Sequence, residues 1–297
     1  MIEGMFLITL TGLIWCGNGI IFSYAARKSL DFIAIMFTAT LLGAILFWIF
    51  MSKPQMILNG TASRLSELAI IMLSSGIIGT IGVIFMQKAM RSGHHGIVWT
   101  ISQFALIVPF FWGIIVFQEP TTLLKNIGIL CVLTSFLAFG AGQSRSQQQA
   151  DKPILFWFPM TMLAFVILGI HQSISLIPGY WQNWEDSANL RGALINTGFF
   201  LSYLIAVIFS GRLPTNRTVL KLGLLSGVLV FISPITLFRS MDLLARANML
   251  SMVYPLTVGT CIIAFIIYSI LFLKEKSSFT TLAGIGVGIA GLILISF

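Results

Sequence analysis

The chain has 297 residues, of which 57% are hydrophobic and 9% are charged, with a formal net charge of +8 at pH 7. Soluble domains carry about 25% charged and about 45–50% apolar residues. The 17 Lys and Arg and 9 Asp and Glu of this chain are too few to cover the surface of a soluble protein of this length. The composition therefore excludes a soluble enzyme and predicts an all-α polytopic membrane protein.

The positively charged residues stand singly or in pairs at the ends of apolar stretches. This placement is typical of topology signals and of contacts with anionic lipids, so we expect the lipid bilayer as a partner and no nucleic acid. The cysteines Cys16, Cys131 and Cys261 each lie inside an apolar run without metal-ligand spacing. They are predicted to be packing residues, and neither a metal nor another cofactor is expected.

Ten apolar stretches are long enough to cross a membrane, since a hydrocarbon core about 30 Å thick requires roughly 20 helical residues. They cover residues 4–24, 31–51, 66–88, 94–117, 122–142, 154–176, 189–210, 219–242, 248–273 and 278–296. We therefore expect ten transmembrane helices in a multi-pass integral membrane protein.

A Gln- and Ser-rich segment, residues 143–152, divides these ten stretches into two groups of five. An odd number of spans in each half reverses the orientation of the second half, as in many secondary transporters. The sequence therefore predicts two inverted five-helix repeats, residues 1–142 and 153–297, joined by this linker.

Two similar corners follow the fourth and ninth stretches. The first ends in Gln118-Glu119 and is followed by a helix that contains Gly128. The second ends in Lys274-Glu275 and is followed by a helix that contains Gly284. An ungapped alignment of the two halves places these glutamates on one another, and these glycines as well.

The ten-span plan and the two glutamate corners resemble the drug/metabolite transporter superfamily, the EamA-like carriers. The stretch 79–122 is most similar to the sugar-uptake branch, which includes glucose/ribose porters and L-rhamnose–proton symporters. The resemblance implies a secondary active transporter in the bacterial cytoplasmic (inner) membrane, and not an enzyme.

Two orientations remain open. Eleven of the 17 basic residues lie on the side reached by the connectors after spans 1, 3, 5, 7 and 9. The positive-inside rule places that side in the cytoplasm and both termini outside. The family resemblance implies the opposite, with both termini in the cytoplasm.

Polar residues inside the first half are candidates for substrate binding, because such residues are costly within a membrane. Trp15 and Asn18 are three positions apart and share one helix face, although Asn18 could instead bond a neighbouring helix. His95, Trp99 and Gln103 follow a spacing of four and form a second polar-aromatic stripe. Such a stripe suits a hydroxylated solute, since the ring stacks and the amide both donates and accepts. An interfacial, solvated position is the alternative for His95.

The second half offers His171, Gln172 and Ser175 in its first span and Tyr254 in the ninth. His171 is the best candidate for a proton switch, with protons as the coupling ion. The alternative is a histidine whose ring is satisfied by a backbone carbonyl. Tyr254 adds a hydroxyl to the predicted substrate site.

Three charged residues, Arg239, Asp242 and Arg246, follow helical spacing near the end of the eighth span. They predict a salt-bridge ladder at the membrane interface, or a gating group that breaks during transport, in which Arg239 and Asp242 take part. In the connector that follows the sixth span, Tyr180, Trp181 and Trp184 predict an aromatic belt or a lid over the cavity.

A glycine face on the last span, Gly284, Gly288 and Gly291, predicts close helix packing, either within the chain or at a homodimer seam.

The sequence as a whole predicts alternating-access transport of a small neutral or zwitterionic organic solute. The resemblance to the sugar-uptake branch implies a sugar or polyol as the first candidate. Amino acids, aromatic metabolites and choline-like cations are the alternatives, because Trp and Tyr faces also bind cations. A different class is an intramembrane lipid-handling enzyme or a channel. The chain has neither a P-loop nor a His-Glu-x-x-His motif, so it gives no support to an ATP-driven pump or a metalloprotease.

Overall fold

The structure is a computed structural model in which every regular element of the described residues is a helix. Helices satisfy their own backbone hydrogen bonds, which a chain inside a bilayer requires. The described residues are 2–51, 64–91, 95–146, 154–181, 188–211, 213, 216–272, 279–295 and 297.

Ten helices lie within these ranges, and each coincides with one of the ten apolar stretches. They are α1 (Ile2–Arg27), α2 (Phe32–Leu46), α3 (Leu65–Met90), α4 (His95–Gln103 and Ile107–Val116), α5 (Leu123–Ser146), α6 (Ile154–Leu176), α7 (Ala188–Ser210), α8 (Arg217–Ala245), α9 (Val253–Phe272) and α10 (Phe279–Ile295). Glu275 and most of the predicted linker 143–152 lie outside the described residues.

Several helices are irregular at positions that matter for the site. A 3₁₀ turn, Phe104–Leu106, divides α4 into its two segments. Another 3₁₀ turn, Leu250–Met252, precedes α9, and α2 continues into a π-helical turn, Phe47–Met51. Pro234 lies inside α8 and removes a backbone donor there. Such irregular backbone at membrane depth is expected only where protein or a cavity surrounds it.

Seven of the described helices are long and apolar enough to cross a membrane by length and composition. The apolar parts of α4, α5 and α10 are shorter, at Ile101–Val116, Leu123–Ser135 and Leu282–Ile295. The protein is therefore an integral, multi-pass, all-helical membrane protein.

The packing of the helices follows a recurring pattern. The helix α3 packs on α6 and α7, and α8 packs correspondingly on α1 and α2. In the same way α4 packs on α5 and α6, while α9 packs on α10 and α1. Two further contacts, α5 with α10 and α2 with α7, join helices that are five places apart in chain order. If each of the first five helices is exchanged with the helix five places further along the chain, the same set of contacts results.

The glycine face of α10 is buried against α5 of the same chain. A Cβ atom added at Gly291 would lie 2.8 Å from the Gly128 carbonyl oxygen, so the two backbones approach each other as closely as glycine permits. Gly288 faces Ser135 in the same interface, and Gly284 is buried as well. Packing within the chain thus accounts for this face. A homodimer seam through the same glycines would require α5 and α10 to separate.

The two ends of the bundle can be told apart from the contacts of α1. Gly12 lies beside Thr257 and Gly19 beside Phe265, so α1 and α9 run in the same direction. We call the side on which α1 begins side I and the side on which it ends side II. The ends of α4, α6 and α8 and the beginning of α9 then meet on side I.

Candidate functional site

A cavity of about 210 Å³ lies inside the bundle, walled by residues of α1 to α4 and α6 to α9. Seven residues proposed from the sequence line it: Trp15, Asn18, Trp99, Gln103, His171, Gln172 and Tyr254. None of the described residues in its wall is Asp, Glu, Lys or Arg. Within the described ranges no group of His, Cys, Asp and Glu side chains could hold a metal ion. The arrangement is therefore suited to binding an uncharged organic molecule.

Trp15 and Asn18 of α1 form one wall of the cavity. The Trp15 ring lies 6.2 Å from the Tyr254 ring, measured between centroids. The Asn18 side-chain oxygen accepts a hydrogen bond from the Ser226 hydroxyl of α8 at 2.8 Å. Asn18 thus both bonds a neighbouring helix and borders the cavity, so a role in helix packing and a role in substrate binding are compatible.

Trp99 and Gln103 contribute the α4 side of the cavity. The Trp99 ring stacks on Phe265 of α9, with centroids 5.8 Å apart. The 3₁₀ turn of α4 begins directly after Gln103, so the helix breaks beside the cavity. His95 begins α4, but its side chain lies outside the described residues.

The His171 ring is held by Ser75 of α3. The His171 Nδ1 atom lies 2.8 Å from the Ser75 carbonyl oxygen, to which it donates in the tautomer that this contact requires. The Ser75 hydroxyl in turn donates to the His171 carbonyl at 3.1 Å. The carbonyl-bonded histidine foreseen as the alternative is therefore present. Nε2 remains as the ring nitrogen that can form a hydrogen bond with a solute or bind a proton.

Ser175 is not among the described residues that line the cavity. Its hydroxyl is hydrogen-bonded to the Tyr254 hydroxyl and donates to the Gln172 carbonyl at 2.8 Å. The predicted site residue Ser175 therefore contacts a residue of the cavity wall.

Two cavity residues, Asn196 and Tyr203 of α7, were missed by sequence reasoning. They are seven positions apart and so share one helix face. That spacing was a usable signal, but a single amide and a single tyrosine on an apolar helix do not reveal which neighbours they meet.

On side I, Glu119 forms a buried hydrogen-bonded cluster. Its carboxylate accepts bonds from the Tyr180 hydroxyl at 2.7 Å, the Ser251 N–H at 2.9 Å and the Ser251 hydroxyl at 3.0 Å. The Tyr180 ring stacks on Phe117, with centroids 3.8 Å apart. A Cβ at Gly113 would lie 2.5 Å from the Ser251 Cβ, so this approach requires glycine. The corner after α4 is thereby joined to the end of α6 and the start of α9.

A buried ion pair lies on the same side. Asp242 of α8 is paired with Arg191 of α7, and the two are 6% and 0% exposed. The Arg191 guanidinium also lies 5.1 Å above the Phe238 ring, which lines the cavity. The pair therefore anchors one end of the cavity wall.

The charged residues predicted as a ladder along α8 also make contacts with other helices. Asp242 is paired with Arg191 of α7, which supplies the desolvated partner that a buried carboxylate requires. The exposed Arg239 lies 3.6 Å from Glu3 of α1. The ladder with Arg246 stays a prediction. Gating by Arg239 and Asp242 stays a prediction.

The aromatic connector after α6 is described only in part. The Arg64 guanidinium lies 4.1 Å from the Trp181 ring centroid, so this tryptophan also links the two halves on side I. Trp184 lies outside the described residues.

Comparison with known proteins finds a family model that matches the first part of the chain. The model of the EamA-like transporter family matches residues 2–141. A solved structure titled only "Crystal structure of protein" is 13% identical, with a TM-score of 0.68 over 99% of this chain and 98% of that chain, which establishes a shared fold. No curated protein sequence matches the chain significantly. The match of residues 2–141 to the EamA-like transporter family supports the assignment of this region to the drug/metabolite transporter superfamily.

Proposed function

We propose that this protein is a secondary active transporter that moves a small uncharged or zwitterionic organic solute across the membrane by alternating access. One observation carries the proposal: a cavity whose described wall contains no Asp, Glu, Lys or Arg is lined by both five-helix groups. The match of residues 2–141 to the EamA-like transporter family supports transport as the general function. A bacterial cytoplasmic membrane is the expected location.

The ten helices are proposed to be ten spans in two inverted repeats, residues 1–142 and 153–297. The recurring packing pattern supports this, because exchanging the two groups of five helices reproduces the contacts. The cavity follows the same rule, since α5 and α10 contribute no described residue to its wall. Inverted repeats of this kind place the substrate where the two halves meet.

We infer from the contacts on side I that the cavity is closed on that side. Glu119, Tyr180 and Ser251 tie the halves together there. Towards side II, Met86 and Trp99 line the cavity only four residues from the ends of their helices, about one helical turn. Alternating access then requires the side I contacts to break while the side II ends of the helices come together.

The sidedness of this state depends on orientation. The charge count makes side II cytoplasmic and the family resemblance makes it external. A reporter active only in the cytoplasm, fused after Phe297, distinguishes them. Activity supports the family orientation, and inactivity together with a working periplasmic reporter supports the charge count.

Proton coupling is proposed to involve His171, whose Nε2 is not used by the Ser75 contact. Uptake driven by a pH gradient into proteoliposomes tests this with His171→Gln, which keeps a polar side chain. We expect gradient-driven uptake to fail while exchange of substrate persists. If gradient-driven uptake survives in this variant, His171 is not the proton relay.

Counterflow of labelled solute in proteoliposomes tests the transport mechanism. A thermal-shift screen of the purified protein first supplies the solute, because a ligand at 100 times its dissociation constant stabilises by about 2.7 kcal/mol. Sugars and polyols come first, then amino acids, aromatic metabolites and choline-like cations. A carrier shows stimulation by unlabelled solute on the opposite side, whereas a channel or an enzyme does not.

A further inference from the structure

Four polar atoms in the cavity wall lack a hydrogen-bond partner in the part of the chain that the structure describes. They are Trp99 Nε1, Gln172 Oε1, Asn196 Oδ1 and the Tyr203 hydroxyl. Their residues are 7%, 5%, 0% and 1% exposed, in that order. Buried polar groups almost always have a partner, because removing them from water without one is unfavourable. Four such atoms around one cavity indicate partners that a bound solute supplies.

Asn196 has a defined hydrogen-bonding role. Its Nδ2 donates to the Gly192 carbonyl at 2.8 Å, which requires the amine at that end of the amide. Oδ1 is therefore an acceptor without a donor. Seven positions further along the same face of α7, the Tyr203 hydroxyl can both donate and accept.

The four atoms together require a solute of mixed hydrogen-bonding character. Asn196 and Gln172 present carbonyl oxygens, which need donors. The Trp99 N–H needs an acceptor, and the Tyr203 hydroxyl takes either. A hydroxyl group donates and accepts at once, so a molecule with several hydroxyls satisfies all four without carrying charge.

A zwitterion fits the cavity less well. Its ammonium and carboxylate groups would lose hydration, and no charged side chain stands in the described wall to compensate. Burial of an unpaired charge is far more costly than burial of a hydrogen-bonded hydroxyl. The aromatic rings of Trp15 and Trp99 provide apolar faces against which the C–H surfaces of a polyol can pack.

We propose that Asn196 and Tyr203, acting with Gln172 and Trp99, determine specificity for an uncharged solute that carries several hydroxyl groups. This inference rests on the proposed transport function and names the substrate class of the same cavity. A site of this kind rejects an analogue that lacks a recognised hydroxyl, because the polar group on the protein is then left unpaired. A deoxy analogue should therefore bind much more weakly than its parent.

The test measures the melting temperature and solute affinity of the purified full-length protein. The hydroxylated solutes are pentoses, hexoses and alditols, and each sugar is paired with a deoxy analogue. Neutral amino acids are the zwitterionic solutes. Tyr203→Phe is the central variant. We expect it to keep or raise the melting temperature without solute, since the hydroxyl it removes has no partner. We expect the affinity for the best hydroxylated solute to fall about tenfold or more. Trp99→Phe, which removes the indole N–H, should also weaken binding.

Thr161→Val is the matched control. Thr161 is buried in α6 outside the residues that line the cavity, and its hydroxyl donates to the Trp157 carbonyl at 3.0 Å. Its replacement should leave the affinity within about twofold, because that hydroxyl does not border the cavity.

Several outcomes would overturn the inference. It fails if Tyr203→Phe lowers the melting temperature and leaves affinity unchanged, or if no hydroxylated solute stabilises the wild type. It also fails if amino acids bind and polyols do not. If an amino acid then shows counterflow, the transport proposal stands and the proposed specificity for hydroxylated solutes is wrong. Binding of a polyol without counterflow would preserve the specificity assignment and remove the carrier.

Discussion

The Tyr180 hydroxyl donates to Glu119 Oε2 at 2.7 Å and thereby joins the end of α6 to the corner that follows α4. Ser251 completes the cluster from the start of α9 with its N–H and its hydroxyl. Three elements distant in sequence are thus held by one carboxylate on side I, the side that we propose is closed. If transport requires that side to open, this cluster has to break and re-form in each cycle.

Removing the Glu119 charge should weaken the closed side. Hydrogen bonds to a charged group contribute about 1.5–3 kcal/mol, so we expect Glu119→Gln to lower stability by about 2 kcal/mol in a thermal unfolding assay. The control is Glu67→Gln, which alters an exposed i, i+3 pair with Arg64 and should change stability by less than about 1 kcal/mol. Equal stability of the two variants would contradict a structural role for the cluster.

The proposed closure of side I predicts from which side a reagent can reach the cavity. A single cysteine at Ser233→Cys, with the native cysteines replaced by alanine, places a thiol in the cavity wall. A membrane-impermeant thiol reagent should label it from side II and not from side I. Adding Glu119→Gln should raise labelling from side I. Ser135→Cys, at a buried position that faces Gly288, is the control that should not be labelled. If Ser233→Cys is labelled from side I while Glu119 is intact, side I is not closed.

The buried pair of Arg191 and Asp242 should be sensitive to loss of either partner. Breaking a buried ion pair leaves an uncompensated charge and costs about 3–5 kcal/mol. We expect Asp242→Asn to destabilise the protein strongly and Arg239→Gln, at the exposed pair with Glu3, to change stability by less than about 1 kcal/mol. Replacing Arg191 and Asp242 together by apolar residues should recover much of the loss. A double-mutant cycle by thermal unfolding measures this, and additive effects would argue against the pair.

Two glycines of α10 provide a matched comparison. A Cβ at Gly291 would contact the Gly128 backbone, whereas a Cβ at Gly286 meets nothing within 4 Å. We expect Gly291→Ala to destabilise by about 1–3 kcal/mol through overpacking. Gly286→Ala should stabilise by up to about 1 kcal/mol, since alanine favours the helix. If both substitutions shift the unfolding midpoint in the same direction, the close approach of α5 and α10 is not needed for stability.

Helical periodicity explains how the residues of the cavity could be found without a structure. Trp15 with Asn18, and Trp99 with Gln103, are spaced so that each pair shares a face, and polar side chains on such faces must avoid lipid. All four border the cavity. Periodicity assigns a residue to a face of its own helix, however, and does not say what that face meets. Ser175 was therefore predicted to line the cavity, but it is not among the described lining residues and contacts Tyr254, which is.

The sequence by itself determined that this is a helical membrane protein, where its helices lie and which of them carry polar faces. Hydrophobicity and helix length depend only on residues close together along the chain, so they can be read locally. Only the tertiary structure decided that Asp242 pairs with Arg191, that Glu119 is held by Ser251 and Tyr180, and that the cavity residues Asn196 and Tyr203 carry buried polar atoms for which the described residues supply no partner. Those contacts join residues 51 to 132 positions apart or depend on how α7 is rotated against its neighbours, and such geometry is set by the packing of the whole bundle.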